Sequence, residues 1–233
     1  MPAAVQPAAG LRALWPTPLG VHRWSRADEI NPLLARVLGS LRALAQPQAA
    51  AFYVSDDDLL QRIRIPEWQE FLRFVVSSLQ QTVAQANQDA WPQPAPNLRI
   101  ALRGMWFQVA NAGAHHDVHT HGNCSWSGVY CVQVDEDPAR CAEPVMGQHN
   151  GVTRFYGPYF GHLGGASADF GNAYLQSAVL DVPPRSGQLL LFPSWLAHQA
   201  MAYRGSLDRI IISFNASVHA AQGGDQTQPY AAS

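Results

Sequence analysis

The chain has 233 residues, 47% of them apolar and 14% charged, with a formal net charge of -2. That length and apolar content supply a sizeable core and exclude an intrinsically disordered chain. Without a Lys/Arg run or basic stripe, there is no electrostatic footprint for nucleic acid or an anionic membrane.

Residues 1–10 and 220–233 are Ala-rich and read as loose tails. The N-terminal stretch lacks a basic region followed by an apolar one, so no secretory signal is expected. No run of about 18 apolar residues is present, so no membrane span is expected. Two helices are expected next. "INPLLARVLGSLRALAQP" offers Asn31 as N-cap and Pro32 as first helical residue, with Leu34, Val37, Leu38, Leu41 and Ala45 at helical spacing. "PEWQEFLRFVVSSLQQTVAQAN" opens at Pro66 and carries Trp68, Phe71, Leu72, Val75, Leu79, Val83 and Ala86 as an apolar stripe. Both are expected to cover one face of a sheet.

From Leu98 the period changes to two. "LRIALRGMWFQV", "SGVYCVQV", "GVTRFYG", "AVLDVPP", "GQLLLFP" and "DRIIISFN" read as strands, separated by turn residues. No helical segment separates most of them, which favours an antiparallel sandwich or barrel over a βαβ sheet. Residues 157–172 are rich in Gly, Tyr and Phe without a clear period and read as a long loop, a candidate lid. The expected organisation is one domain over 1–233. It comprises a helical lead-in over about 10–97, a β core over 98–218 and a tail over 219–233.

Three cysteines, Cys124, Cys131 and Cys141, form no CxxC pair. An odd number without metal-type spacing speaks for a reducing compartment, with the cytoplasm as the expectation. Cys131 sits in an apolar strand and is expected to be inert.

The chemistry concentrates in "HHDVHTHGNCSWSGVY", from His115 to Tyr130. In an extended strand His115, Asp117, His119 and His121 share one face. His119 and His121, at i and i+2, can both reach one metal ion, although such a pair is more often a surface feature. His198 follows an apolar strand and a Pro-containing turn in "SGQLLLFPSWLAHQA". In a jelly roll it returns beside the first pair and completes three ligands on one side of a metal, leaving the other side open. Its alternative reading is a core histidine bonded to backbone. Arg209 opens an apolar strand, and burying a guanidinium needs an anion. Its fork suits a carboxylate, and alternation places Ser213 on the same face. The alternative reading of Arg209 is a structural salt bridge.

"HTHGNCSWSGVYCV" followed by "GQLLLFPSWLAHQAMAYRGSLDRIIISFN" resembles the bacterial and phage type of 2-oxoglutarate/Fe(II) oxygenase. The likeness runs over about residues 10–220. It implies a mainly β chain with N-terminal helices: a double-stranded β-helix (jelly roll, cupin-like) core with helices packed on one face. By position it implies His119, His121 and His198 as iron ligands. Arg209 then holds the distal carboxylate of 2-oxoglutarate, with Ser213 or Tyr130 assisting. Three departures stand out: Cys131 replaces a Tyr, Ile211 a Ser, and Gly122 a Pro. Most such enzymes use two His and one acid, so a set including Asp117 is the second possibility; otherwise Asp117 orients a ligand imidazole. His115 and His116 are expected in a loop or at the pocket rim.

The activity implied is oxidation of a C–H bond, by default hydroxylation, of a small-molecule or amino-acid-derived substrate. It consumes oxygen and 2-oxoglutarate and releases succinate and carbon dioxide. Trp126, Asp117 and Tyr159 are the pocket candidates; Tyr156, Phe160, Ser127, His162 and Arg154 are weaker ones. Trp106 and Trp195 are expected in the core. A homodimer is left open. The other readings are a three-His, cupin-like dioxygenase without 2-oxoglutarate and a non-catalytic, ligand-binding jelly roll.

Overall fold

The computed structural model describes residues 17–46, 50–91, 95, 97–142, 144–157 and 179–220. Its strands are β1 (Gly20–Arg23), β2 (Phe52–Val54), β3 (Leu98–Ala110), β4 (Ala114–His119), β5 (Trp126–Gln133), β6 (Thr153–Tyr156), β7 (Val179–Val182), β8 (Gln188–Pro193), β9 (His198–Tyr203) and β10 (Arg209–Ala220). Its α-helices are α1 (Ala27–Ala45), α2 (Leu59–Arg62) and α3 (Pro66–Asn87). The strands form a six-stranded sheet in the order β1-β8-β5-β10-β3-β2 and a four-stranded sheet in the order β4-β9-β6-β7. Every ladder is antiparallel. Sequence neighbours rarely pair, as expected of a jelly roll. No helix among the described residues is long and apolar enough to cross a membrane.

Strict alternation divides the larger sheet. Met105, Phe107 and Val109 of β3, Tyr130 and Val132 of β5, and Ile210, Ile212 and Phe214 of β10 meet the buried stripes of α1 and α3 in one core. The alternate residues, Trp106, Gln108, Arg209, Ile211 and Ser213, look away from the helices toward the smaller sheet. Gly128 lets the two central strands close: a Cβ there would stand 2.3 Å from the Phe214 ring.

α1 departs from expectation by one turn. It begins at Ala27, with Arg26 preceding it, so Asn31 is a buried helical residue rather than the N-cap and Pro32 lies inside the helix. The apolar stripe explains the early start, because Ala27 and Ile30 continue the face of Leu34 and Leu38 into the core. Asn31 is used instead as a polar post. Its Nδ2 donates to Ser186 Oγ at 2.9 Å, and its Oδ1 accepts from Tyr130 Oη–H at 2.8 Å.

A candidate metal centre beside a buried guanidinium

The site lies between the two sheets. His119 ends β4 and is the register partner of His198, which begins β9. His121 follows the end of β4, where its backbone N–H donates to Ser194 O at 2.9 Å. Ser194 N–H in turn donates to Ser125 O at 3.1 Å, and Ser194 Oγ lies 3.0 Å from Cys124 Sγ. The turn between β8 and β9 therefore fixes the loop that carries His121. One ligand atom from each of His119, His121 and His198 lies within 4.8 Å of the others.

Two of the ring orientations are set by carbonyls. His119 Nδ1 meets Asp117 O at 2.7 Å and His198 Nδ1 meets Leu196 O at 2.9 Å. A carbonyl only accepts, so in each ring Nδ1 carries the proton and Nε2 keeps its lone pair. His121 Nε2 and His198 Nε2 face each other at 3.4 Å. Two nitrogens sharing a metal at roughly 2.1 Å and a right angle stand about 3 Å apart, so little closure is required. Burial, reinforced by the neighbouring His119, pushes His121 down to about 4. His198 is pushed down to about 3, chiefly by burial. Both are neutral at neutral pH, the state in which an imidazole binds a metal.

Arg209 and Ser213 line the same pocket as the three histidines. Arg209 is only 3% exposed, its Nε has no hydrogen-bond partner, and no ion pair joins it to an acid among the described residues. A buried, unpaired guanidinium costs several kcal/mol. The salt-bridge reading of Arg209 therefore finds no partner among the described residues, and the arrangement calls for an anion in the pocket.

Several expected positions differ. Tyr130 is fully buried on the opposite face of β5, bonded to Asn31 and packed on Phe71 and Trp24, because its parity is that of the helix-facing residues. Trp126 shares that parity and joins the same core at 7% exposure, so it does not line the pocket. Trp106, expected in the core, lines the pocket with its ring 5.8 Å from that of His121. Trp195, also expected in the core, is 56% exposed in the turn before His198. Asp117 does not converge with the histidines. Its side chain is 93% exposed and meets His115, while only its carbonyl touches His119. The common face of His115, Asp117, His119 and His121 fails because the β4–β9 register shifts on both sides of His116. His116 consequently turns inward, its ring 4.2 Å from that of His119.

Arg154 points outward and pairs with Asp181, and the Tyr156 hydroxyl donates to Gln199 Oε1. Ser127 is buried beside Asn215, to which its hydroxyl donates at 2.9 Å. Cys131 is buried with its thiol pushed up to about 12 by burial, in agreement with an inert residue. Tyr159, Phe160, His162 and most of the 157–172 loop lie outside the described residues. Gln108 and Thr153 line the pocket unanticipated. The signal for Gln108 was present in "MWFQV", where it shares a face with Trp106. No Asp or Glu lines the pocket among the described residues.

Three imidazoles beside a buried cation without an ion pair, inside a double-stranded β-helix, form a candidate metal centre. Residues 104–215 match the family model described as "Putative 2OG-Fe(II) oxygenase". This segment, just under half of the chain, holds the three imidazoles and Arg209 and is similar to that family. No curated protein matches the chain by sequence. Similar solved structures include AviO1 from Streptomyces viridochromogenes Tue57, at 14% identity over 89% of this chain and 94% of that one, with a TM-score of 0.54. HygX from Streptomyces hygroscopicus, with nickel and 2-oxoglutarate bound, is 14% identical over 86% of this chain and 82% of that one, with a TM-score of 0.51. A Trichoplax adhaerens prolyl hydroxylase, in complex with a hypoxia-inducible-factor peptide fragment, is 13% identical over 85% and 83%, with a TM-score of 0.50. At these identities the likeness is one of fold.

Proposed function

We propose that the chain oxidises a C–H bond of a small-molecule substrate, by default hydroxylating it. His119, His121 and His198 hold Fe(II), and Arg209 holds the distal carboxylate of 2-oxoglutarate. When bound, the metal and cosubstrate supply the oxidising power, converting 2-oxoglutarate and oxygen to succinate and carbon dioxide while one oxygen atom goes to substrate. The observation that carries this reading is Arg209. Its buried, partnerless Nε lies in the pocket of the three imidazoles, where a dicarboxylate reaching from the metal would neutralise it.

The protein's own part is positioning. The carbonyls of Asp117 and Leu196 keep the Nε2 lone pairs of His119 and His198 turned to one point. Ser213, two residues after Arg209 on β10, offers a hydroxyl to the same carboxylate. Trp106 and Ile211 exclude water on the six-stranded side, as a dry site requires. An all-histidine set is favoured over one using Asp117 because that carboxylate is turned into solvent. Three unpaired cysteines suit a reducing compartment, and we assign the chain to the cytoplasm.

The test is turnover of 2-oxoglutarate in air by the Fe(II)-loaded chain, with succinate measured by mass. Slow succinate release without added substrate is expected. Its absence, with iron bound and oxygen present, would exclude the 2-oxoglutarate reading and leave the three-His dioxygenase.

A further inference from the structure

Beyond Trp106, the site-facing side of the large sheet continues along β3 and β10. Along this face of β3, Ala110 and Gln108 are buried, Trp106 is half-buried, Gly104 is covered by Asp57, and Arg103 and Arg99 are exposed on either side of half-buried Ala101. The face is most exposed at the start of β3. Past the register shift at Asn215/Ala216, Leu102, Ile100, Leu98 and Val218 still pack on the helix-side core. Arg103, Arg99, Ser217 and His219 consequently occupy the face that carries Trp106 and Arg209. Arg99 pairs in register with His219. Arg103 Nε donates to Ser217 Oγ at 3.2 Å, and its Nη2 donates to His219 Nε2, also at 3.2 Å. A guanidinium cannot accept, so His219 Nε2 is the acceptor in this contact. Neither arginine has an ion pair among the described residues. Asp57, whose carboxylate rests against Gly104, forms none with Arg103. Set against the single carboxylate of Asp57, the two arginines without an ion pair leave a local excess of positive charge at the start of β3.

We infer that Arg99, Arg103 and His219 form a substrate-recognition strip for an anionic group, best matched by a phosphate monoester, on the molecule whose carbon is oxidised. Paired guanidiniums suit the several oxygens of a phosphate. Three residues of strand separate Trp106 from Arg103, about 10 Å. The anion thus sits on the order of 10–15 Å from the histidine cluster. A small phosphorylated molecule lying over Trp106 spans that distance. The inference rests on the proposed oxygenase site for its meaning, but its binding claim is measurable without that site.

In the full, metal-free chain, inorganic phosphate is titrated while the arginine Nε–H resonances are followed by NMR. The Arg99 and Arg103 resonances should shift saturably. Affinity should fall at least tenfold in Arg99→Gln/Arg103→Gln, and acetate at equal ionic strength should bind at least tenfold more weakly than phosphate. In the Mn(II)-loaded chain saturated with 2-oxoglutarate, phosphorus relaxation should place the phosphate on the order of 10–15 Å from the metal. No saturable shift, unchanged affinity in the double variant, equal binding of acetate, or a phosphate beyond about 20 Å would each overturn the inference. Failure of Mn(II) to bind counts against the oxygenase site alone, since the metal-free titration still decides the strip.

Discussion

His119 and His198 face each other across the β4–β9 ladder, with ring centroids 4.3 Å apart. Each is held by a backbone carbonyl two residues earlier in its own strand or turn, so two distant segments orient their rings by the same device. Removing either imidazole should abolish stoichiometric Fe(II) binding, whereas Asp117→Ala should retain it, since that residue contributes only its carbonyl. Metal content after anaerobic loading and desalting checks this. Iron lost from Asp117→Ala and kept by His198→Ala would mean a different ligand set.

Arg209→Met should have two opposite effects. Without ligands it removes a buried unpaired charge, so the melting temperature should hold or rise. With 2-oxoglutarate it should lose the anion partner, raising the KM for that cosubstrate by roughly 10- to 100-fold, with metal content unchanged. Thermal shift with and without 2-oxoglutarate, beside steady-state kinetics, measures both.

Tyr130→Phe should cost about 1 kcal/mol of stability, because Asn31 Oδ1 loses its buried donor. The KM for 2-oxoglutarate should not change, since Tyr130 lies on the helix side of the sheet. Urea denaturation and kinetics on the same sample separate the two effects.

Arg154 and Asp181 are cross-strand partners in β6–β7, joined by two hydrogen bonds of 2.7 Å, and His149 adds a third contact. The Arg154 hydrogen bonds, helped by His149, hold the Asp181 carboxyl below the usual carboxylate range against the opposing effect of burial. A carboxylate depressed on folding stabilises above its unfolded pKa of about 3.9 and loses that contribution as pH falls through the folded value. Asp181→Asn should therefore lose about 1 kcal/mol at neutral pH, and its difference from wild type should close below about pH 4. Denaturation midpoints from pH 3 to 7 follow the difference, on the order of 1 kcal/mol at the upper end.

The strands and the face that carries the candidate site were legible because both follow alternation. Period-two runs marked β3, β5, β6, β7, β8 and β10, and parity within "RIIISF" correctly set Arg209 and Ser213 against Ile210 and Ile212. Which sheet face meets the helices is a tertiary fact, however, and local pattern does not carry it. In β5 both parities are largely buried, so only the placement of α1 and α3 on one side decides where Tyr130 and Trp126 point. The histidine run failed for a different reason. A register shift exchanges the inward residues from His115 and Asp117 to His116, and shifts leave no mark in composition. At the start of α1, Asn31 and Pro32 imitate a helix N-terminus, while the apolar face begins at Ala27.

The most direct measurement of the central claim is an anaerobic titration of the Fe(II)-loaded chain with 2-oxoglutarate, followed by visible absorption. Chelation of the keto acid at the histidine centre should produce a metal-to-ligand charge-transfer band that saturates at one equivalent. Arg209→Met should reach the same band only at higher 2-oxoglutarate, and His198→Ala should give none. A wild-type chain that holds iron but develops no band at saturating 2-oxoglutarate would contradict the account.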